Sequence, residues 1–188
     1  MAAHEKKDAA LFAHDQHAFL YQSTRGLAQP ERSLDPAAVI AGGYWAVPPA
    51  PDARIAIAYQ GPVAPEAMEA FAILREEEPG AGLLAITSPD RLHAGWLASR
   101  RARRQGRGAE PSAIETLLAP LAPGAALVSV LDGHPAAHAW MGAVRGHRVV
   151  PLGVDRFGQA GDIPDLYREY GLDVDAILDA CAEALLGG

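Results

Sequence analysis

From residue 53 onward the apolar positions follow two alternating rhythms. "ARIAIAYQG" (53–61) alternates and closes on Gly61, the pattern of a strand. "GLLAITS" (82–88) and "ALVSVLDG" (126–133) are unbroken apolar runs, as expected of strands covered on both faces. "HRVVPLGVD" (147–155) predicts a fourth strand. Helical spacing fills the intervals. Met68, Phe71 and Leu74 lie on one stripe that Pro79-Gly80 ends. Ser88-Pro89 can cap and start a helix over "PDRLHAGWLASRRARR". Ser112 and Glu115 have capping-box spacing, followed by a face of Ile114, Leu117, Leu118 and Leu121. "PAAHAWMGAVRG" reads as a short helix, and Val174, Ile177, Leu178, Cys181 and Leu185 mark one side of a last one.

Strands alternating with helices imply βαβ crossovers, so the fold class is α/β with a mainly parallel sheet and helices on both faces. Sites in such sheets form beyond the carboxyl ends of the strands. Those ends are Gln60-Gly61, Thr87-Ser88, Asp132-Gly133-His134 and Asp155-Arg156. The first 52 residues differ. "AHEKKDAALFAHD" is helical in pattern and "HAFLYQSTR" extended, while prolines in "GLAQPERSLDPAA" and "VPPAP" predict a wrapping linker over 26–52.

Composition narrows the class. A chain of 188 residues suits one domain with an extension and can bury a full core. Its single cysteine, Cys181, excludes an internal disulfide and fits a reducing compartment; on its apolar stripe it reads as a core residue. No signal core or membrane-length apolar run occurs, so the expected setting is the cytoplasm, with no membrane partner. The formal charge of −7 argues against general nucleic-acid binding.

The stretch "VLDGHPAAHAW" (130–140) concentrates the candidate chemistry. His134 and His138 have the i, i+4 spacing of a zinc helix, but Pro135 stands where that motif has glutamate. Spacing indicates no third ligand, His147 being the nearest candidate. Pro135 at a helix start and Gly133 in a tight turn favour a capping and turning role, which leaves His134 for an interface or site edge. The run Arg100, Arg101, Arg103, Arg104, Arg107 could hold a polyanion, yet it contains no aromatic residue and suits the carboxyl end of a helix. The glycines of "GVDRFGQAGD" lack dinucleotide-binding spacing and predict an irregular loop with a polar surface of Asp155, Arg156, Gln159 and Asp162. There is no G-x-S-x-G, and neither Ser88 nor Ser129 has an evident base.

Read as a whole, "VSVLDGHPAAHAWMGAVRGHRVVPLGVDRFGQAGDIPDLYREYGLDVDAIL" resembles the C-terminal domain of the homodimeric pyruvate dehydrogenase E1 component and its relatives in the transketolase superfamily. "VLDGHP", an R-F-G-Q-S-G-D-like loop, a D-x-Y-R helix and a G-[IL]-D lead-in to the last helix carry the likeness. "ITSPDRL" and "FLYQSTRGLAQPER" extend it upstream, to about residue 18. The resemblance implies a transketolase C-terminal-like α/β/α sandwich over 53–188, around a mixed, mainly parallel sheet. Residues 1–25 would be the remnant of a preceding pyrimidine-binding domain.

The enzymes it resembles use thiamine diphosphate and magnesium, held by a G-D-G…N motif in an N-terminal domain. That motif does not occur here. The resemblance therefore implies a dimer-stabilising portion, not catalytic by itself and binding no cofactor alone. It would work with the remaining domains or subunits of a parent enzyme, as a homodimer and possible member of a dehydrogenase complex. The resemblance puts Arg25, in "STRGL", near the place of an arginine that helps bind substrate phosphate in transketolases, with a threonine extra to their S-R-Q-N-like sequence; His134, Asp155, Arg156, Phe157 and Gln159 would lie at an interface or site edge. Two alternatives stand beside this: a stand-alone α/β enzyme using Asp132 and His134 as an acid/base pair, and a polyanion-binding module using the arginine run.

Overall fold

The computed structural model describes residues 26–27, 34–108, 110–156 and 160–187. Its centre is a five-stranded sheet made of β1 (Gly43–Val47), β2 (Ala53–Gln60), β3 (Gly82–Ile86), β4 (Leu121–Leu131) and β5 (Arg148–Leu152), in the order β1-β3-β2-β4-β5. β2 pairs in parallel with β3 and β4, and β4 with β5; β1 alone runs antiparallel, on β3.

The period-two alternation of β2 separates two cores. Ile55, Ile57 and Tyr59 face one side with Val128 and Val130, against helices α2 (Ala64–Glu77) and α7 (Val174–Leu186). Ala56 and Ala58 face the other with Leu84 and Leu127. That second layer comprises α3 (Pro89–Arg104), α4 (Ala113–Leu117), α5 (Ala136–Ala139) and a 3₁₀ turn, Trp140–Ala143. With apolar residues on both faces, neither side of the sheet can be left in water. A three-layer α/β/α sandwich follows.

Residues assigned by their prolines to a linker are partly built into the sheet. Helix α1 (Pro36–Ala41) starts at Asp35, whose Oδ1 accepts the Ala37 amide at 2.9 Å, and ends on left-handed Gly42. β1 follows as the edge strand. The strand itself contains no proline; Pro48 and Pro49 follow it and end it. Trp45 fixes it: its Nε1 donates to the Leu117 carbonyl at 3.0 Å, and its ring covers Gly82 so closely that a Cβ there would lie 2.6 Å from Cζ3.

Other boundaries shift for local reasons. The helix expected to run from Ser112 to Leu121 stops at Leu117, ahead of Pro120, and Leu121 begins β4. The helix expected after the third strand is broken into α5 and the 3₁₀ turn. Met68 is 39% exposed, so the buried stripe of α2 is Ala67, Ala70, Phe71 and Leu74. Ser88 does not cap α3 with its side chain; its Oγ donates to Asp90 Oδ1 at 2.6 Å. The fourth strand ends at Leu152, leaving Asp155 and Arg156 in the loop beyond it.

Candidate functional site

The carboxyl ends of β2, β4 and β5 converge on one edge, and most of the polar candidates lie there. The turn after β4 is built tightly. The Val154 amide donates to the Gly133 carbonyl at 2.8 Å, and a Cβ on Gly153 would lie 2.4 Å from that oxygen and 2.9 Å from Pro135 Cδ. Backbone and proline ring thus fill the space beside "DGHP".

His134 is exposed, and its Nδ1 accepts the Ala136 amide at 3.2 Å. It caps the short helix α5, satisfying a first-turn donor that has no partner within the helix. Asp132 Oδ2 accepts instead from the Tyr167 hydroxyl of α6 (Ile163–Tyr170), at 3.3 Å. Asp132 and His134 therefore hold separate partners and do not form an acid/base couple.

His138 is fully buried, with Nε2 2.9 Å from Gln60 Oε1 at the end of β2. Burial pushes its pKa down to about 4, so the ring is neutral near pH 7. His147 is also buried and has no hydrogen bond at either nitrogen. Its pKa is lowered by burial and by the charge of Arg145, against the nearby carbonyls of Leu118 and Ala125. Among the described residues no group of three His, Cys, Asp or Glu side chains could hold a metal ion.

The loop after β5 is clamped to α6 by Arg156. Its guanidinium lies 3.2 Å from Glu169 Oε1, donates to the Glu169 carbonyl at 3.2 Å and sits over the Tyr170 ring. The Tyr170 hydroxyl returns a hydrogen bond to the Arg156 carbonyl at 3.1 Å. Asp155 is exposed and 3.8 Å from the same guanidinium. Arg25, Phe157 and Gln159 lie outside the described residues, as does the 1–25 segment.

Gln60 was named only as a strand end and Tyr167 only within the D-x-Y-R helix, and Glu169 and Tyr170 were not singled out, yet all four complete this edge. Gln60 carried a signal, as the polar residue closing an apolar strand. The residues of α6 carried no signal of their partners, because only the fold returns that helix to β4.

No family model matches this chain, and no curated protein sequence matches it. Solved structures do. Transketolase from Leishmania mexicana superposes with a TM-score of 0.56 at 19% identity, over 79% of this chain and 18% of that one. A protein described as a split-gene transketolase, inactive beta4 tetramer, gives 0.53 at 18% identity, over 86% of this chain and 46% of that one. Transketolase from Campylobacter jejuni gives 0.53 at 15%, over 85% and 20%. The fold is transketolase-like. The chain spans less than half the length of each of these transketolase-like neighbours.

Proposed function

We propose that this chain is the C-terminal-type domain of a thiamine-diphosphate enzyme, and that its work is assembly. In this reading it packs against the cofactor-holding domains and stabilises a homodimer in the cytoplasm. Supporting it is the likeness to transketolases over 79–86% of the chain, combined with a sheet edge whose polar groups are tied to one another. The colinear "VLDGHP…PLGVDRFGQAGDIPDLYREYGLD" points within that superfamily to the pyruvate dehydrogenase E1 branch, and with it to a dehydrogenase complex. The neighbour described as a split-gene transketolase supports a separately encoded subunit as one form of the arrangement.

The cofactor of that superfamily does not fit the described residues of this chain. A diphosphate needs a cradle of free amides and a magnesium ion needs clustered oxygen ligands. The "DGHP" turn is filled by Gly153 and Pro135, and the described residues contain no metal-holding cluster. Thiamine diphosphate and magnesium would be held by the partner domains. No step of their chemistry is assigned to a residue here.

Two measurements test this. Titration calorimetry of the isolated, folded chain with thiamine diphosphate and magnesium should show no binding; micromolar affinity would overturn the reading. Immunodetection in native cell extract should place the chain in a particle several times its own 19.7 kDa. A free 19.7 kDa monomer would equally count against it.

A further inference from the structure

The arginine run contains no aromatic residue in sequence, but folding supplies one. Trp96, Arg100, Arg103, Arg104, Glu115 and Arg145 line an open pocket of about 330 Å³, on the side of the molecule formed by α3 and α4. Arg100 stacks over Trp96 with its guanidinium carbon 4.7 Å from the ring centroid. Trp140 packs on the same indole at 5.6 Å between centroids, and His93 on Trp140 at 4.7 Å. The wall is therefore a stiff aromatic stack carrying a cation.

Charge in the pocket is unbalanced. Among the described residues Glu115 is its single carboxylate, and both oxygens are taken. Oε1 receives Arg103 at 2.6 Å; Oε2 receives the Ser112 amide at 2.8 Å and hydroxyl at 2.6 Å. Arg103 is further fixed by Ser99 Oγ at 2.8 Å. Among the described residues, Arg100, Arg104 and Arg145 have no carboxylate within ion-pair distance. Four guanidiniums thus meet one occupied carboxylate, in a chain whose formal charge is −7.

The carboxyl-terminal dipole of α3 favours arginines in that helix's last turn. It does not account for Arg145, which arrives from the turn after the 3₁₀ segment. That residue holds a left-handed backbone, φ 61°, a region bulky side chains avoid. Like charges brought together from two segments, one of them at a conformational cost, are compensated when an anion sits between them.

We propose that this pocket binds a small phosphate-bearing anion, of the phosphate-ester or pyrophosphate class. Guanidinium forks match phosphate oxygens in geometry, and several free forks call for a ligand with more than one negative charge. The volume lies at the small end of ligand pockets, which fits a single small molecule. A nucleic-acid strand would need a basic track continuing beyond the pocket, and the chain is acidic overall.

Titration calorimetry with inorganic pyrophosphate and inorganic phosphate, at constant ionic strength, tests the assignment. Saturable binding is expected, tighter for pyrophosphate. Arg104→Ala and Arg145→Ala should each weaken it by about tenfold or more, the loss of one charge-assisted contact. Arg107→Ala, outside the pocket, should leave it unchanged. Circular dichroism confirms that each variant is folded. Three results would overturn the proposal: no saturable binding by the wild-type chain, Arg104→Ala and Arg145→Ala both binding as the wild type does, or a duplex oligonucleotide that binds tighter than pyrophosphate.

Discussion

His138 Nε2 lies 2.9 Å from Gln60 Oε1, a contact that ties the four-residue helix α5 to the end of β2. With the Gln60 oxygen as acceptor, Nε2 carries the ring proton, and Nδ1 is left buried without a partner. The ring closes the second core where α5 crosses the carboxyl edge of the sheet.

This burial predicts acid sensitivity. An unfolded histidine titrates near its ordinary 6.5, whereas His138 in the fold is pushed down to about 4. Between those values the unfolded chain binds the proton and the native one does not. Stability is therefore full above pH 6.5, falls as pH drops toward 4, and loses about 3 kcal/mol across that window. His147 acts in the same direction. Urea midpoints measured from pH 7 to pH 5 should fall, and His138→Phe should flatten the slope. An unchanged slope in that variant would place the sensitivity elsewhere.

The joint between Gly133 and Gly153 predicts a contrast between two glycines. A Cβ at Gly153 meets backbone oxygen at 2.4 Å, so Gly153→Ala must push β5 away from the turn after β4. A loss of about 1–3 kcal/mol is expected, as for overpacking. At Gly133 the nearest atom would be Leu131 Cδ1 at 3.5 Å, an ordinary contact, so Gly133→Ala should cost clearly less. Chemical denaturation of the two variants side by side decides it.

Cys181 should be inert while the chain is folded. The residue is 1% exposed, and burial pushes the thiol pKa up to about 12. The thiolate is the reactive form, so a chromogenic disulfide reagent should modify it only at the rate of unfolding. Rapid labelling in native buffer would contradict the packing of α7 on the sheet.

Trp45 is expected to hold the edge strand by its hydrogen bond as well as its bulk. Trp45→Phe keeps most of the cover over Gly82 but leaves the Leu117 carbonyl without its indole donor. About 1 kcal/mol of stability should be lost. Amide exchange in residues 43–47 should quicken more than in β2, since β2 lies inside the sheet. Equal protection in wild type and variant would show that the bond contributes little.

Much of the fold was legible in the chain because its signals are local. Alternation in "ARIAIAYQG", the apolar runs of β3 and β4, and the Ser112–Glu115 box each depend on neighbours within one turn or one strand. β1 was hidden by the prolines that flank it, although Tyr44, Trp45 and Val47 between a glycine pair and a proline pair carried strand propensity. What makes it a strand is a distant partner, β3, with Trp45 closing over Gly82.

The carboxyl edge divides in the same way. Sequence alone determined that "DGHP" is a turn, since Gly133 and Pro135 restrict the backbone wherever they stand. It also shows that no G-D-G…N motif occurs in this stretch. Which polar groups meet was decided only by tertiary structure. Crossover topology brings His138 to Gln60, Asp132 to Tyr167, and Arg145 to the arginines of α3. Spacing along a chain describes one element at a time; these partners come from different elements, and only packing both faces of the sheet brings them together.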